Sequence, residues 1–312
     1  MARIIAIANP VAALGRCMTR WERLLFWLRR QGMHLETWWT ERAGHACELA
    51  REAIRARVER ILAVGGDGTV HEVINGMAAL FHRRQTVPVL GIVPLGRGND
   101  YARTMHIPHR PRAMLRVALQ ADPVWVDLGE IEFTATDGTT ARRYFINVAG
   151  IGFDAVVAAR MNRPEVLRSA WRWWVSYLAS ILRSITQLQH YRVRAQLAGR
   201  VIESRAFLWV MALGRYFGGG LRIAPMANVQ DGLMEILWGE RFTPARVVRI
   251  LPLVYIGRHI GRPGIHHARA ASLKLDADPP APLEADGEVI GHTPLHVRVW
   301  TRILPVATGP GT

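Results

Sequence analysis

The sequence predicts an α/β domain followed by an antiparallel β domain that carries a helical insertion. Three observations lead there. Short β-branched runs alternate with helical periodicity from Arg3 to about Asp127, two glycine-rich turns leave apolar strands within that stretch, and hairpin dipeptides recur after Trp125, at Asp137-Gly138, Gly199-Arg200, Asp231-Gly232 and Asp286-Gly287. The first pattern is that of parallel βαβ units and the last that of an antiparallel sandwich. With 312 residues, half of them hydrophobic, the chain can build two domains with a core in each.

Ile4 to Ala8 forms the first strand, and Trp21, Leu24, Leu25 and Leu28 line one face of the helix after it, which ends near Gly32. A second strand, His34 to Thr40, leads to a helix buried along Ala46, Leu49, Ala50, Ala53 and Ile54. The third strand, Ile61 to Val64, runs into Gly65-Gly66-Asp67-Gly68-Thr69 and a helix start through Gly76. The fourth, Val87 to Val93, ends in Pro94-Leu95-Gly96-Arg97-Gly98-Asn99-Asp100. Beyond Gly129 the helical insertion spans Pro164 to Gln187, with Leu167, Ala170, Trp171, Trp174, Leu178, Ile181, Leu182 and Ile185 at helical spacing, and a further helix runs from Pro244 to Arg258. The expected domains are therefore 1–126, Rossmann-like, and 127–300, a β-sandwich, with 301–312 as a candidate return to the first. No low-complexity linker separates them, so the halves are expected to share a tight cleft.

Lys+Arg 40 against Asp+Glu 25 gives a net charge of +15, and because Lys274 is the only lysine this excess is almost all arginine. Attraction to a polyanion, a nucleotide or an anionic bilayer fits that balance; so does coding bias. No recognition motif accompanies the charge, so nucleic acid is not expected as a partner. The apolar run from Met1 to Pro10 is too short for a signal peptide, and no run approaches a transmembrane length. Cys17 and Cys47 lie on separate predicted helices without metal-like or redox spacing, as in a reduced cytoplasmic protein.

The chemistry concentrates in a few places. In the Gly65 to Thr69 turn, Gly66 and Gly68 can admit phosphates, Thr69 can donate a hydroxyl hydrogen bond, and the following helix points its positive end at the same anion. Asp67 would repel a bare phosphate, which implies that a metal ion or a hydroxyl proton is handled there. The Pro94 to Asp100 loop leaves its strand at the same end, where ligands sit in open α/β sheets. Asn9 and Arg16 follow the first strand; Arg16 can grip a phosphate through its fork or stay solvated, and Arg97 can add a phosphate contact. Glu288, preceded by Gly287 on a tight turn, suits a general base with Asp286 as auxiliary carboxylate, although Asp286-Gly287 is also an ordinary hairpin signal. Arg160, Arg163, Arg168, Arg172 and Arg183, interleaved with Trp171, Trp173, Trp174 and Tyr177, can lie against an anionic bilayer, with Trp173 and Tyr177 beside the apolar stripe as the contacts.

Taken in order along the chain, these residues resemble the diacylglycerol kinase catalytic family, which includes bacterial lipid kinases and the sphingosine and ceramide kinases. Asn9-Pro10, Thr40 with Gly44-His45-Ala46, Gly65 to Thr69 with Asn75-Gly76, and Pro94-Leu95-Gly96 with Gly98-Asn99-Asp100 and Ala102 carry the first half. Phe145-Ile146-Asn147 with Gly152-Phe153-Asp154-Ala155, Gly218-Gly219-Gly220 with Asp231-Gly232, and Asp286-Gly287-Glu288 carry the second. The resemblance implies transfer of the γ-phosphoryl group of ATP, with Mg²⁺, to the hydroxyl of diacylglycerol or a related lipid. It implies nucleotide binding by Asn9, Thr40, Gly65, Gly66, Gly68, Thr69, Gly96, Gly98, Asn99 and Asp100, to which the phosphate-gripping chemistry of the guanidinium adds Arg16 and Arg97, and catalysis by Asp67, Glu288 and Asp286. Asn228, Asp231 and the carbonyl of Leu233 resemble a divalent-ion site; oxygens at i, i+3 and i+5 suit Mg²⁺ or Ca²⁺, and an Asx-turn without metal fits them too.

A lipid substrate implies a cytoplasmic protein, peripheral at the inner face of the membrane; the oligomeric state stays open, a homodimer included. Ala12, Ala13 and Arg97 depart from the family pattern and motivate the alternative of a catalytically silent lipid- or nucleotide-binding protein. An NAD kinase shares the Gly-Gly-Asp-Gly-Thr turn, but the Pro94 to Asp100 loop fits the lipid group better and no second Asn-Glu motif is evident downstream.

Overall fold

The computed structural model describes residues 3–81, 86–162, 173–186 and 188–309, which fall into two compact units, Met1–Val126 with Arg302–Thr312, and Asp127–Thr301.

The first unit holds β1 (Ile4–Ala8), α1 (Arg16–Arg30), β2 (Glu36–Trp39), α2 (His45–Arg55), β3 (Arg60–Gly65), α3 (Asp67–Phe81), β4 (Val89–Pro94), α4 (Asp100–Thr104) and α5 (Pro111–Gln120). Its strands are parallel in the order β2-β1-β3-β4, and Val306 near the chain's end pairs in parallel with Leu90 of β4. This corrects the Rossmann-like expectation in one respect, since the strand order is the other common doubly wound one, with its switch between β1 and β3. Periodicity counts strands but does not rank neighbours.

Continuous apolar runs in β1 and β3 fit burial on both faces; Ile5, Ile7, Leu62 and Val64 are all fully buried. On α1, Cys17, Trp21, Leu24 and Leu28 recur every three or four residues and turn inward, and the Trp21 indole N–H donates to Thr37 Oγ1 at 3.1 Å. Gly76 lets α3 approach α2, because a Cβ there would run into the Cys47 carbonyl and lie 2.6 Å from the Ala50 Cβ. Arg60 donates to the Ala118 and Ala121 carbonyls at 2.9 and 3.1 Å, placing a cation at the carboxyl end of α5.

The second unit comprises most of β5 (Pro123–Thr134), then β6 (Thr140–Phe145), β7 (Val148–Gly152), α6 (Phe153–Met161), α7 (Trp173–Ile185), β8 (Tyr191–Leu197), β9 (Arg200–Ala212), β10 (Met234–Glu240), α8 (Pro244–Tyr255), β11 (Ile265–Ala270), β12 (Ser272–Asp278), β13 (Pro282–Ala285) and most of β14 (Glu288–Ala307). Six strands pair antiparallel in a closed circuit, β7-β13-β14-β12-β8-β9 and back to β7. The core is thus barrel-like where two stacked sheets were expected. The cause lies in two long strands, of 13 and 20 residues, each with partners in more than one ladder: β9 pairs with β8, β7 and β10, and β14 with β13 and β12.

Alternation along β8 and β12 sends Val193, Ala195, Leu273 and Leu275 into a core shared with Trp209, Met211, Leu283 and Val297. Asp231-Gly232 is a turn before β10 and not a hairpin: the buried Asp127 carboxylate accepts the Gly232 N–H at 2.6 Å. Of the expected helical insertion, α7 is the described part, with Ile181 and Ile185 buried and Leu182 exposed. Arg163, Leu167, Arg168, Ala170, Trp171 and Arg172, and the side chains of Trp173, Trp174, Tyr177 and Leu178, lie outside the described residues. Among the described residues no helix is long and apolar enough to cross a membrane.

Candidate active site

In the first unit the two glycine turns interlock. Gly96 donates its N–H to the Gly65 carbonyl at 2.8 Å, and a Cβ on Gly96 would run into the Gly66 Cα. Gly65 is required by Thr69, whose buried side chain lies against it: a Cβ at 65 would meet Thr69 Oγ1 and stand 2.8 Å from its Cβ. A Cβ on Gly98 would lie 2.7 Å from Asp67 Oδ2, while Asp67 Oδ1 accepts the Tyr101 N–H at 3.1 Å. Gly66 differs from these, because the nearest protein atom to a Cβ there is the Gly96 Cα at 3.4 Å, an ordinary contact. The protein's own packing does not demand a glycine at 66.

Asn99 adopts a left-handed φ of 54° and donates from Nδ2 to the carbonyls of Gly96 and Pro94 at 3.0 and 3.3 Å; its Oδ1 is buried and accepts nothing from the described residues. Asp100 is buried and paired with Arg103 at 2.6 Å, and Arg103 also donates to the Gly98 carbonyl at 2.7 Å, so this ion pair braces the second loop from behind. Arg97 is half-buried, and burial draws its guanidinium pKa below the ordinary value.

After β1, Asn9 donates to the Val64 carbonyl at 3.0 Å and its Oδ1 accepts the Val11 N–H at 3.1 Å. Ala13, Leu14 and Gly15 then take successive φ values of 51°, 64° and 78°. Two side-chain-bearing residues thus hold a left-handed turn, at roughly 1–2 kcal/mol each. Arg16, the first residue of α1, is exposed, and Thr40, at the exit of β2, is buried with its N–H on the Ala8 carbonyl at 2.9 Å. Asn9, Gly65 to Thr69 and Gly96 to Asp100 therefore leave adjacent strands at one end of the sheet.

In the second unit Asp286-Gly287 forms a two-residue hairpin closed by Ala285 and Glu288, with φ of 50° and 89°, the signs of a type I′ turn. The Asp286 carboxylate accepts the N–H groups of Ile146, Asn147 and Val148 at 3.1, 2.9 and 3.2 Å. Three such bonds make it a clamp on the β6–β7 turn. Glu288 is half-buried at the start of β14.

Behind the hairpin lie two buried carboxyls that the sequence reading did not single out as site residues. Glu284 accepts the Gly287 N–H at 2.7 Å, and Asp154 uses Oδ1 for the Ala155 N–H at 2.8 Å while its Oδ2 has no partner among the described residues. Burial pushes both pKa values up, with the negative charge of Asp154 adding to the effect on Glu284. Asp154 stood in the quoted Gly-Phe-Asp-Ala motif, but nothing local ties it to a glutamate far along the chain.

Asn228, Asp231 and Leu233 meet at one turn, although not as an oxygen cage. Asn228 Oδ1 accepts the Gln230 N–H, Asp231 Oδ1 accepts the Leu233 N–H, both at 3.1 Å, and Asp231 Oδ2 pairs with Arg269. A guanidinium already neutralises the carboxylate a divalent ion would need, so these residues as arranged do not fit a metal. Among the described residues no group of three His, Cys, Asp or Glu side chains could hold one. A cavity of about 550 Å³ in this unit is lined by Lys274, Arg194 and Glu132 and contains none of the expected site residues.

Comparison with known proteins decides what this arrangement belongs to. Residues 3–131 match the diacylglycerol kinase catalytic domain, and residues 147–308 match the YegS C-terminal NAD kinase beta sandwich-like domain. The chain belongs to the diacylglycerol kinase family. Relatives include a protein of Chromohalobacter salexigens named "Probable lipid kinase YegS-like", 31% identical over 91% of this chain and 87% of its own length. A diacylglycerol kinase of Staphylococcus saprophyticus is 27% identical over 95% and 94%. The crystal structure of a candidate diacylglycerol kinase from Bacillus anthracis shares the fold, with a TM-score of 0.79 over 99% of this chain and 95% of that one at 23% identity.

Proposed function

We propose that this chain phosphorylates diacylglycerol or a related lipid hydroxyl, with Glu288 as general base and the two glycine turns holding the triphosphate. Family membership makes it an ATP-dependent lipid kinase, which favours this reading over the dinucleotide-kinase alternative, and turnover in the assay below decides against a silent binder. The observation that carries the assignment of roles is Gly66, whose missing side chain the protein does not need and an approaching phosphate does. Asn99 Oδ1, buried on the neighbouring loop and without a partner among the described residues, can accept from a ribose hydroxyl or the adenine amine of a nucleotide, since phosphate oxygens offer no donor. In this reading Gly68, Thr69, Gly96, Gly98, Arg97, Asn9, Arg16 and Thr40 complete the nucleotide surroundings. Asp67 would hold the Mg²⁺ that accompanies ATP, and Asp100 supports the loop through Arg103.

Chemically, Glu288 takes the proton of the acceptor hydroxyl as its oxygen bonds to the γ-phosphorus. The bond between that phosphorus and the β–γ bridging oxygen breaks, leaving ADP and a phosphorylated lipid. Mg²⁺ supplies charge neutralisation at the phosphates; the chain supplies position and proton acceptance. The same proposal includes a cytoplasmic enzyme, peripheral at the inner membrane face. Purified protein incubated with labelled ATP, Mg²⁺ and vesicles containing diacylglycerol should yield a labelled phospholipid on mass spectrometry. Failure with diacylglycerol, sphingoid bases and glycerophospholipids alike would reject the acceptor class. Glu288→Gln should lose turnover while retaining ATP binding by calorimetry.

A further inference from the structure

The hairpin that presents Glu288 is held at its apex by more polar contacts than a two-residue turn requires. A type I′ turn closes itself through its flanking pair. Here the ladder beside it is weak: β13 has four residues and its register with β14 shifts between Leu283 and Glu284. Pairing of β13 with β7 through Leu283, Glu284 and Ala285 fixes the strand but stops at Ala285, so the two turn residues are left to other contacts. Four further interactions fix them. The Asp286 carboxylate spans three N–H groups of the β6–β7 turn, and the Asp286 N–H donates to the Val148 carbonyl at 2.8 Å. The Gly287 N–H donates to Glu284 Oε2 at 2.7 Å, and the Gly287 carbonyl accepts from Asn162 Nδ2 at 3.0 Å. Both polar groups of the residue preceding Glu288 are thus held by side chains from elsewhere, one on β13 and one at the end of α6.

Glu284 is a poor choice if stability is the only purpose. It is 4% exposed, sits opposite Gly150 on β7 and shares its surroundings with the equally buried Asp154. Burying an ionisable side chain to satisfy one N–H is costly, and an apolar side chain with the N–H left to water would avoid that cost. What Glu284 provides is a fixed acceptor under the turn.

We propose that Glu284 and Asn162 are positioning residues: by clamping the N–H and the carbonyl of Gly287 they fix the direction in which Glu288 is presented to the acceptor hydroxyl. This rests on the general-base reading above. Since misplacing a reacting group by about 1 Å costs on the order of 10²-fold in rate, the clamp acts on turnover and not on nucleotide affinity.

The test compares Glu284→Ala, Glu284→Gln and Asn162→Ala with Glu288→Gln in the full-length protein, using diacylglycerol vesicles and ATP. Glu284→Ala should lower kcat by on the order of 10- to 100-fold with KM for ATP unchanged. Glu284→Gln keeps an acceptor for the Gly287 N–H and should restore kcat to near the wild-type value. Hydrogen exchange of a peptide spanning the hairpin, measured without substrates, should quicken in both alanine variants and not in Glu284→Gln. A Glu284→Gln variant as slow as Glu284→Ala would overturn the proposal, as would faster exchange with an unchanged kcat while Glu288→Gln is inert. A fully active Glu288→Gln would instead reject the general-base reading, and the exchange data would still report on the clamp separately.

Discussion

The backbone N–H of Gly96 donates to the carbonyl of Gly65 at 2.8 Å, so the loop after β4 is fastened to the turn after β3 by main chain alone. No side chain chooses this contact; it exists because Gly96 has none to hold its backbone away from that of Gly66. The turn glycines therefore separate into those the protein needs and one that it does not.

Alanine at position 96 or 65 should destabilise the first unit by about 1–3 kcal/mol through overpacking, against the Gly66 backbone in one case and the Thr69 side chain in the other. Alanine at 66 should leave the denaturation midpoint nearly unchanged and abolish ATP binding. Urea titrations set beside calorimetric titrations with ATP make the comparison. A destabilised Gly66→Ala variant that still binds ATP normally would invert the assignment.

Helix α2 begins at Gly44, which has a left-handed φ of 80° and no side chain with which to cap. Glu72 of α3 performs that function from outside, its two oxygens accepting the N–H groups of Gly44 and Ala46 at 2.9 and 3.0 Å. Glu72→Ala should cost about 0.5–2 kcal/mol in urea denaturation, the range for a lost cap, and Glu72→Gln should recover part of it by keeping an acceptor without the charge that favours a helix amino end.

Features of this molecule that repeat along the chain were legible in its sequence. The apolar runs of β1 and β3, the inward stripe of α1 and the alternation of β8 and β12 each follow from side-chain period alone. Glycine turns marked one end of the first unit's sheet because the close approaches at Gly65, Gly96 and Gly98 leave no room for a side chain. Features that depend on which distant residue arrives at a given atom stayed hidden. Asp286 reads as a hairpin residue, yet its carboxylate serves N–H groups 138 to 140 positions earlier. Asp231 reads as a metal ligand, yet Arg269 of the neighbouring strand reaches it first. The closing of the second unit's strands into a ring was equally hidden, because nothing in a period of two reports that β9 changes partners along its length.

Arg269 links Asp231 to Glu235, its Nε 2.9 Å from the almost fully buried Glu235 carboxylate, which also meets His267 at 2.5 Å. With a guanidinium at the turn, the melting temperature should be the same in Mg²⁺, Ca²⁺ or a chelator. Arg269→Met should lower stability by about 1–3 kcal/mol, since a buried acceptor loses its charged donor. A chelator that lowers the wild-type melting temperature would restore Asn228, Asp231 and the Leu233 carbonyl as a metal site.

Asp154 and Glu284 give the protein a pH dependence whose sign can be worked out. Both carboxyls titrate above their ordinary values of 3.8 and 4.5 in the folded chain, chiefly because burial disfavours their charged forms. Between the ordinary and the raised values the folded protein keeps protons that the unfolded chain has released, so unfolding free energy falls as pH rises. This stabilisation is complete below the ordinary values and is lost as pH climbs through the raised ones, with a slope of at most about 1.4 kcal/mol per pH unit for each proton held. Asp154→Asn removes one of the two acids and the neighbouring charge that holds Glu284 up, while its amide oxygen can still accept the Ala155 N–H. Melting temperatures recorded between about pH 5 and about pH 8 should therefore decline less steeply in Asp154→Asn than in the wild type. Parallel curves for the two proteins would mean that Asp154 does not keep its proton above the ordinary range in the folded state.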